Sequence, residues 1–450
     1  MIEAREPAMI YDLHGNLYST CIDDDFVTVH QHGEGRDLTN QQPCAAILSD
    51  GTWMVCWTQA TQEAAKNESV VGSVSLDGGK AWSEDFFIEK AEDERTASWG
   101  MLFAVPHTQR IYCFYWLNEN AFWLRDAGTM YFRCTDDNGK TWSDRHRIAL
   151  PRHEKNGLDI PGEEQHGWNT GFPILTPDGA MLLGYSKISP PSMTVEKPGH
   201  HYGDPDLWYT EAFFLRCSNV LTEDDPSKLE FTVTPEGDEG LHAPHNDEPE
   251  RRFCQEPYMA VLPSGRIIVT MRTRTGHPYY SISGDNGITW RQAQPLRIRP
   301  GGEKLKHPCG PCPVTCTRDG RVLFFFRNDN APVGAKHLCY WTNRDPFHVV
   351  VGREMPDLAK GLGPEEDNAG IYFDAPKVVL SGVEADPKEH PNIAPNYPRR
   401  HAQYPQFLQW GDRFFAVYSN HKMDIRVKEI PAEMFAGHGL PSIDRTCAPP

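Results

Sequence analysis

The sequence predicts an all-β protein that repeats one hairpin along most of its length. The unit is an apolar strand, a polar or glycine-containing turn and a second apolar strand, with no helical period between copies. Six copies occur, at residues 43–57, 101–116, 171–186, 255–272, 312–327 and 404–419. Because such modules are stable when they close into a ring, we expect a six-bladed β-propeller with four-stranded antiparallel blades. A β-sandwich or a barrel is the alternative.

The fourth copy has an acid and a base at the ends of its two strands. Its first strand opens at Glu256, the turn is Pro263-Ser264-Gly265, and the return strand ends at Arg272. Antiparallel pairing of strands of similar length brings their outer ends together. The sequence therefore predicts that Glu256 and Arg272 face each other at one end of a sheet.

A second repeat follows three of the hairpins. Residues 75–82, 135–142 and 283–290 share the pattern S/T-x-D-x-G-x-T/A-W. The aspartate can accept hydrogen bonds from turn N–H groups, the glycine supplies a positive φ, and the tryptophan covers an apolar layer. We therefore expect structural turns rather than catalytic ones. Blades three and five lack a clear copy, and residues 216–232 and 341–344 stand where one is expected.

This pattern is that of the Asp-box, and with six blades the chain resembles a divergent member of the sialidase (neuraminidase) superfamily of glycoside hydrolases. The resemblance covers nearly the whole chain and implies a single propeller domain over residues 1–450. An N-terminal strand at residues 26–31 is predicted to supply the fourth strand of the last blade and so to close the ring. A short helix-like tail is expected from about residue 431.

Charge and composition exclude several kinds of partner. The net charge of −18 argues against nucleic acid and against an anionic membrane surface, because both need clustered lysine and arginine. No export signal and no apolar run long enough to span a membrane is evident, so we expect a cytoplasmic protein. Most cysteines lie singly in apolar strands, as buried thiols do in a reducing compartment.

Two motifs suggest redox or metal chemistry. Residues 309–312 form a CxxC sequence, but a strand follows it, whereas thioredoxin-type chemistry needs a helix N-terminus. A cluster of two histidines and two aspartates at residues 200–206 has a spacing that matches no closed metal site. We therefore expect neither a cofactor nor a metal ion.

Polar residues collect on one face of the predicted propeller, called the working face below. There the first strand of each blade begins and its second strand ends, while the Asp-box turns lie on the opposite face. The polar residues predicted on the working face are Gln41, Gln42, Gln59, Arg95, Asn118, Glu119, His166, Asn169, Lys187, Glu256, Arg272, Arg274, Arg327, Asp329, His401, Tyr404, Asn420 and His421. Long insertions at residues 150–169, 187–208 and 365–401 are predicted there too. These residues predict a pocket for a polar, anionic ligand, although loop ends are often polar without function.

The resemblance implies roles for three residues of this face. In sialidases a tyrosine nucleophile is activated by a glutamate, an aspartate acts as acid and base, and three arginines hold the substrate carboxylate. By position in the blades, Tyr404 matches the tyrosine, Glu256 the glutamate and Arg272 one of the arginines. A neutral nucleophile suits an anionic substrate because it avoids charge repulsion.

The chain departs from the sialidase pattern in its arginines. Sialidases begin the first blade with Arg-Ile-Pro, whereas this chain has Gln41-Gln42-Pro43. One of the three arginines that hold the substrate carboxylate is therefore missing. In blade five the available cations are Arg327 and Lys336. Glutamine replaces neither the charge nor the two-pronged geometry of arginine. The missing arginine therefore argues against sialic acid itself as the substrate and leaves a related sugar open.

The leading interpretation is an exo-acting glycoside hydrolase that removes a terminal, acidic sugar from a glycan. Tyr404 attacks the anomeric carbon with help from Glu256, and Glu63 in the first-blade loop, or else Glu119, protonates the leaving oxygen. The predicted substrate-binding residues are Arg272, Arg274, Arg327, Gln42, Arg95, His166, Asn169 and His401.

Two alternatives remain open. In a polysaccharide lyase, Tyr404 and a histidine such as His401 or His166 would exchange protons while Arg272 neutralises a uronate carboxylate. In a non-catalytic propeller the same face would bind a carbohydrate without turnover. Carbohydrate is the predicted partner in all three interpretations.

Overall fold

The computed structural model of the chain describes residues 10–11, 17–18, 25–92, 95–119, 127–155, 157–159, 161–162, 164–188, 209–244, 252–329, 344–383 and 400–437. These residues form six antiparallel sheets of four or five strands, the blades of a propeller, and one separate hairpin of Ile10–Tyr11 and Leu17–Tyr18. Within the described residues the helical segments are short 3-10 turns at Gly35–Asp37, Pro226–Lys228, Pro356–Ala359, Asn368–Gly370 and Ala432–Phe435. The predicted all-β propeller of six blades is confirmed.

The first four blades follow one another along the chain. Blade one contains Thr39–Ile47, Trp53–Ala60, Ser69–Ser75 and Phe86–Glu89, and blade two contains Thr96–Ala104, Ile111–Asn118, Thr129–Thr135 and His146–Arg147. In blade three, Gly167–Trp168 and Ile174–Leu175 together form the first strand, followed by Met181–Ile188, Thr210–Cys217 and Phe231–Thr234. Blade four contains Gln255–Val261, Ile267–Arg272, Tyr279–Ser283 and Gln294–Pro295.

Blade six includes a strand from the other end of the chain. Its strands are Ala402–Trp410, Arg413–Asn420 and Asp424–Ile430, and the outermost position is taken by Val27–His30. Val27 pairs with Val427 in antiparallel register. The strand predicted at residues 26–31 is therefore present and covers the edge of the last blade, which would otherwise offer unpaired N–H and C=O groups.

Blade five corrects the prediction of a working-face insertion at residues 365–401. The blade contains Val314–Cys316, Val322–Phe326 and Phe347–Glu354, and two short strands, Ile371–Phe373 and Lys377–Leu380, both pair with the third. Residues 365–383 thus complete the outer edge of this blade, and residues 384–399 lie outside the described part of the chain. Strands this short, within a polar stretch, leave little periodicity in the sequence.

The Asp-box turns have the structural role predicted for them. In blade four the Ser283 hydroxyl donates to Asp285 Oδ1 at 2.8 Å, and the same oxygen accepts from the Thr289 N–H at 2.9 Å. Gly287, with φ +82°, donates its N–H to Ser283 Oγ at 2.8 Å. Equivalent hydrogen bonds surround Asp77 and Asp137. Each carboxylate accepts hydrogen bonds within its own turn, so none is available for catalysis.

Aromatic contacts join neighbouring blades. Phe325 of blade five stacks on Phe407 of blade six with ring centroids 3.5 Å apart. Trp53 of blade one meets Phe415 of blade six edge-to-face at 4.9 Å. Burying each such side chain stabilises a fold by roughly 1.5–3 kcal/mol. This packing joins blade five to blade six and blade six to blade one.

Candidate active site

The first strand of four blades carries the same one-residue bulge. In blade four Gln255 pairs with Arg272 but Tyr258 pairs with Thr270, so the first strand has one extra residue. Blades one, two and six show the same offset. The residues at the bulge are Gln42, Trp99, Glu256 and Tyr404, with φ of 54°, 55°, 52° and 46°. A bulge redirects side chains that strict alternation would send elsewhere, and bulges are frequent beside active sites.

Three of these bulges share a sequence signature. Residues 41–43, 255–257 and 403–405 all read Gln-X-Pro, and X is the residue with positive φ. Proline interrupts the ladder because it has no N–H to donate. A left-handed conformation costs a residue with a side chain roughly 1–2 kcal/mol, a strain that persists where the surroundings impose it. Two of the three X residues are the predicted catalytic Glu256 and Tyr404.

Tyr404, Glu256 and Arg272 meet in the structure. The Tyr404 hydroxyl of blade six donates to Glu256 Oε1 of blade four at 3.0 Å, and Arg272 Nη1 donates to the same oxygen at 2.8 Å. All three side chains are buried. The two bulged strands come from different blades, so only ring closure brings these residues together. The predicted contact between Glu256 and Arg272 is present.

The surroundings keep the Tyr404 hydroxyl protonated in the free protein. Burial raises the pKa of Tyr404, the neighbouring Glu256 carboxylate raises it further, and Arg272 and Arg344 partly oppose both. Glu63 is also close enough for its charge to raise this pKa. A phenol bonded to a carboxylate can release its proton when it attacks, because the acceptor is already in place.

Glu63 reaches the site from the loop between the second and third strands of blade one. Its carboxylate pairs with Lys422 Nζ of blade six. The loop is anchored by buried Glu68, which accepts hydrogen bonds from the Ala64 N–H at 2.8 Å and the Ser98 hydroxyl at 2.5 Å. Glu119, the alternative acid, instead accepts from the Tyr131 hydroxyl at 2.8 Å in blade two. The geometry thus favours Glu63.

Arg344 and Lys422 were not among the predicted site residues. Arg344 is buried, donates from Nη2 to the Cys309 carbonyl at 3.1 Å, and is one of the charges that act on Tyr404. Residues 341–344 were predicted to stand at an Asp-box position, which is wrong for Arg344 because the third strand begins only at Phe347. The other three residues lie outside the described part of the chain. Arg344 neither begins nor ends a strand recognised in the sequence, so strand direction did not predict the face on which it lies.

Arg327 has partners in two neighbouring blades. Its guanidinium is buried between blades five and six, stacks on Phe347 and donates to the Ala402 carbonyl at 2.8 Å. In four other blades a hydroxyl near the end of the second strand makes a hydrogen bond to the backbone of the next blade. The pairs are Thr58 with Trp99, Ser186 with Glu256, Thr270 with Cys312 and Ser419 with Asn40. Arg327 therefore supports the strand that carries Tyr404, and its contact with substrate stays a prediction.

The remaining predicted substrate-binding residues are buried, apart from Arg95. Arg95 forms an ion pair with Glu92 near the surface. Asn169 donates to the Trp99 carbonyl at 2.6 Å and so holds the bulge of blade two. The other three are buried: Arg274 lies 5.9 Å from the Phe253 ring, His401 Nδ1 is 2.8 Å from Gln403 Nε2, and Gln42 is itself a bulge residue. Contact of these side chains with substrate remains a prediction.

His166 belongs to a buried cluster in blade three. Lys187 and Asp159 form a fully buried ion pair at 2.8 Å, and Asp159 also accepts from the His153 N–H at 2.6 Å. Burial lowers the pKa of His166 to about 4, with Asp159 and Lys187 acting in opposite directions, and it lowers the pKa of His153 to about 4 as well. Both histidines are therefore neutral at pH 7.

We expect this cluster to make the folded protein less stable in mild acid. Because the native pKa of His166 lies below its ordinary value of 6.5, the unfolded chain takes up the proton first as the pH falls. Neutral His166 makes its full contribution to the free energy of unfolding above pH 6.5. That contribution decreases as the pH falls to about 4, by at most roughly 1.4 kcal/mol per pH unit. We expect His166→Gln to reduce the drop in the urea midpoint between pH 7 and pH 5, with His107→Gln in an exposed turn as control. Equal drops in wild type and His166→Gln would contradict this.

The two motifs that suggest metal or redox chemistry lie in different parts of the chain. The described residues contain no group of three His, Cys, Asp or Glu side chains arranged to hold a metal ion. The cluster predicted at residues 200–206 lies outside them. Cys309 and Cys312 are buried thiols, and burial raises the pKa of Cys312, which opposes thiolate formation. Among the helical segments that the structure describes, none has the length and apolar character to cross a membrane.

The class of protein that these observations define is a six-bladed β-propeller with Asp-box turns. The family model of the BNR repeat-like domain matches residues 51–417, so the chain belongs to that family. A search of curated protein sequences found no match.

Solved structures share the fold at low sequence identity. The intramolecular trans-sialidase from Ruminococcus gnavus, in complex with oseltamivir carboxylate, has a TM-score of 0.57 and 12% identity, over 91% of this chain and 98% of that one. The leech intramolecular trans-sialidase has a TM-score of 0.59 and 12% identity, and the match covers 93% of this chain and 72% of that one. A protein of unknown function from Dyadobacter fermentans has a TM-score of 0.55 and 14% identity, and the match covers 91% of this chain and 99% of that one. At this identity the likeness shows the fold alone.

Proposed function

We propose that the protein is an exo-acting glycoside hydrolase that removes a terminal, acidic sugar from a glycan. The observation that carries this proposal is the pair of hydrogen bonds on Glu256 Oε1, one from the Tyr404 hydroxyl at 3.0 Å and one from Arg272 at 2.8 Å. A nucleophile, its proton acceptor and a cation are thus in direct contact. The sialidases and trans-sialidases among the solved structures of this fold support the same class of reaction.

The reaction follows from these contacts. Tyr404 Oη attacks the anomeric carbon as its proton passes to Glu256, and the bond to the leaving oxygen breaks while Glu63 protonates that oxygen. A glycosyl–tyrosine intermediate results. Glu63, now a carboxylate, then takes a proton from water, whose oxygen displaces Tyr404, and Glu256 returns the phenolic proton. Splitting one displacement into two in this way retains the configuration at the anomeric carbon.

The positive charges near Tyr404 favour an acidic sugar. Arg272 and Arg344 both act on its pKa, and neither lies in blade one. The first-blade bulge presents Gln42, an uncharged side chain, instead of a cation. With two arginines near the nucleophile, the site suits a carboxylated sugar without reproducing the three-arginine clamp of sialidases. The proposed substrate is therefore a terminal acidic sugar rather than sialic acid in particular.

A panel of substrates tests the proposal. Wild-type protein is incubated with aryl glycosides of N-acetylneuraminic, glucuronic and galacturonic acids and of galactose, and the released phenol is measured. We expect release from at least one acidic glycoside and much less from the galactoside. Polyuronates are followed in parallel by ultraviolet absorbance. An unsaturated uronate product would show a lyase instead, and binding of the sugars without any product would show a non-catalytic propeller.

A further inference from the structure

We propose that Lys422 binds the anionic group of the substrate from the blade-one side of the site and that it releases Glu63 when it does so. This inference rests on the proposed function, since it names the residue that selects an acidic sugar. It assigns to Lys422 the position at which a first-blade cation is missing. Three observations carry it.

The first observation is the turn that holds Lys422. His421 and Lys422 have φ of 57° and 59°, and the Met423 N–H donates to the Asn420 carbonyl at 3.0 Å, as in a type I′ turn. Such turns favour Asn-Gly because both central residues need positive φ. Two residues with larger side chains at these positions cost roughly 1–2 kcal/mol each. Strain of this kind, next to a candidate site, indicates a functional constraint on the residues that bear it.

The second observation is the neighbour of this turn. The Lys422 carbonyl accepts a hydrogen bond from the Asn40 N–H at 2.7 Å. Asn40 directly precedes the tripeptide Gln41-Gln42-Pro43, where the chain has no cation of its own. The lysine backbone is therefore fixed beside the first-blade bulge. Its ammonium group can supply from blade six the positive charge that the first strand of blade one lacks.

The third observation is the partner of the ammonium group. Lys422 Nζ pairs with Glu63, the candidate acid, and the two side chains are 9% and 27% exposed. Lysine has three donors on a flexible stem, so a carboxylate of the ligand can compete with Glu63 for it. A general acid must carry a proton, and an ammonium in contact disfavours the protonated carboxyl. An anionic ligand that engages Lys422 therefore also prepares Glu63 to act as an acid.

The inference predicts selectivity in binding and in catalysis. A neutral sugar leaves the pair of Lys422 and Glu63 intact, so it neither gains the ionic contact nor frees the acid. An acidic sugar gains both. Removing the ammonium should therefore weaken the binding of acidic sugars specifically. It should also reduce the difference in kcat between acidic and neutral aryl glycosides.

The test measures binding, which does not depend on turnover. Wild type, Lys422→Met, Lys422→Arg and Lys422→Gly are titrated by calorimetry with N-acetylneuraminic acid and D-glucuronic acid, and with their uncharged methyl esters. We expect Kd for at least one acid to rise about tenfold or more in the Met and Gly variants, as for a lost charge-assisted hydrogen bond, and to change little in the Arg variant. Kd for its ester should stay constant. Arg413→Met, which removes a surface cation of blade six paired with Glu429, is the matched control.

Glycine at position 422 separates a structural role from a binding role. Glycine removes the strain that a side chain causes at positive φ, so Tm should be unchanged or higher. Affinity for the acid should nevertheless be lost. Wild-type affinity for the acids in Lys422→Met, or equal affinity of wild type for acids and esters, would overturn the inference. If the inference on Lys422 is overturned but hydrolysis that depends on Tyr404 persists, the proposed function stands without the role of Lys422. If Lys422 governs acid binding but no glycoside is cleaved, the inference stands and the hydrolase fails.

Discussion

Replacing Tyr404 by phenylalanine is expected to lower kcat on the best aryl glycoside by on the order of 10³-fold or more, with a small change in KM. The substitution removes only the hydroxyl that attacks the anomeric carbon and keeps the ring in its buried place. Glu256 loses one donor but keeps its hydrogen bond from Arg272 at 2.8 Å, so the site should remain formed. Initial rates at saturating substrate measure the effect.

A matched substitution tests whether the effect is specific to this tyrosine. Tyr131 also donates to a glutamate, Glu119, at 2.8 Å, but it lies on the third strand of blade two. Tyr131→Phe should keep nearly the wild-type kcat, and both variants should melt close to the wild-type temperature. A Tyr404→Phe enzyme with wild-type turnover would rule out Tyr404 as the nucleophile.

Arg272→Met is expected to destabilise the protein by about 3 kcal/mol or more, because it leaves the Glu256 carboxylate buried without its cation. The side chains of Arg272 and Glu256 are 7% and 3% exposed, so water cannot replace the lost partner. Adding Glu256→Gln should recover part of this loss, since the double variant buries no unpaired charge. Urea unfolding at pH 7 of both single variants and the double variant gives the coupling free energy.

An exposed pair provides the reference for this cycle. Arg413 and Glu429 are 45% and 48% exposed, and an ion pair in water contributes at most about 1 kcal/mol. Arg413→Met should therefore cost far less than Arg272→Met. Strict additivity of Arg272→Met and Glu256→Gln would mean that the two charges do not stabilise each other in the folded protein.

The strand ends of the hairpins predicted part of the site. Tyr404, Glu256 and Arg272 begin or end recognisable strands, so their common face followed from strand direction. The repeated Gln-X-Pro at residues 41–43, 255–257 and 403–405 was a further signal in the sequence. It marks the bulges that redirect Gln42, Glu256 and Tyr404, and it can be found without a structure.

Arg327 shows that strand position leaves the direction of a side chain open. It ends a second strand as Arg272 does, yet the Ala402 carbonyl and the Phe347 ring draw its guanidinium between two blades. Strand position predicts the face on which a residue lies, but the neighbouring blade decides the direction of its side chain. Arg344 was missed for a different reason, because it neither begins nor ends a strand recognised in the sequence.

The sequence by itself determined the repeated hairpins, the Asp-box turns and the residues at the strand ends, because each depends on neighbours within a few positions of the chain. Only the tertiary structure decided which of these residues meet. Tyr404 and Glu256 are 148 positions apart, and Lys422 and Glu63 are 359 apart. Contacts over such distances depend on ring closure and blade packing, which bring distant turns and bulges to one place and which no local pattern records.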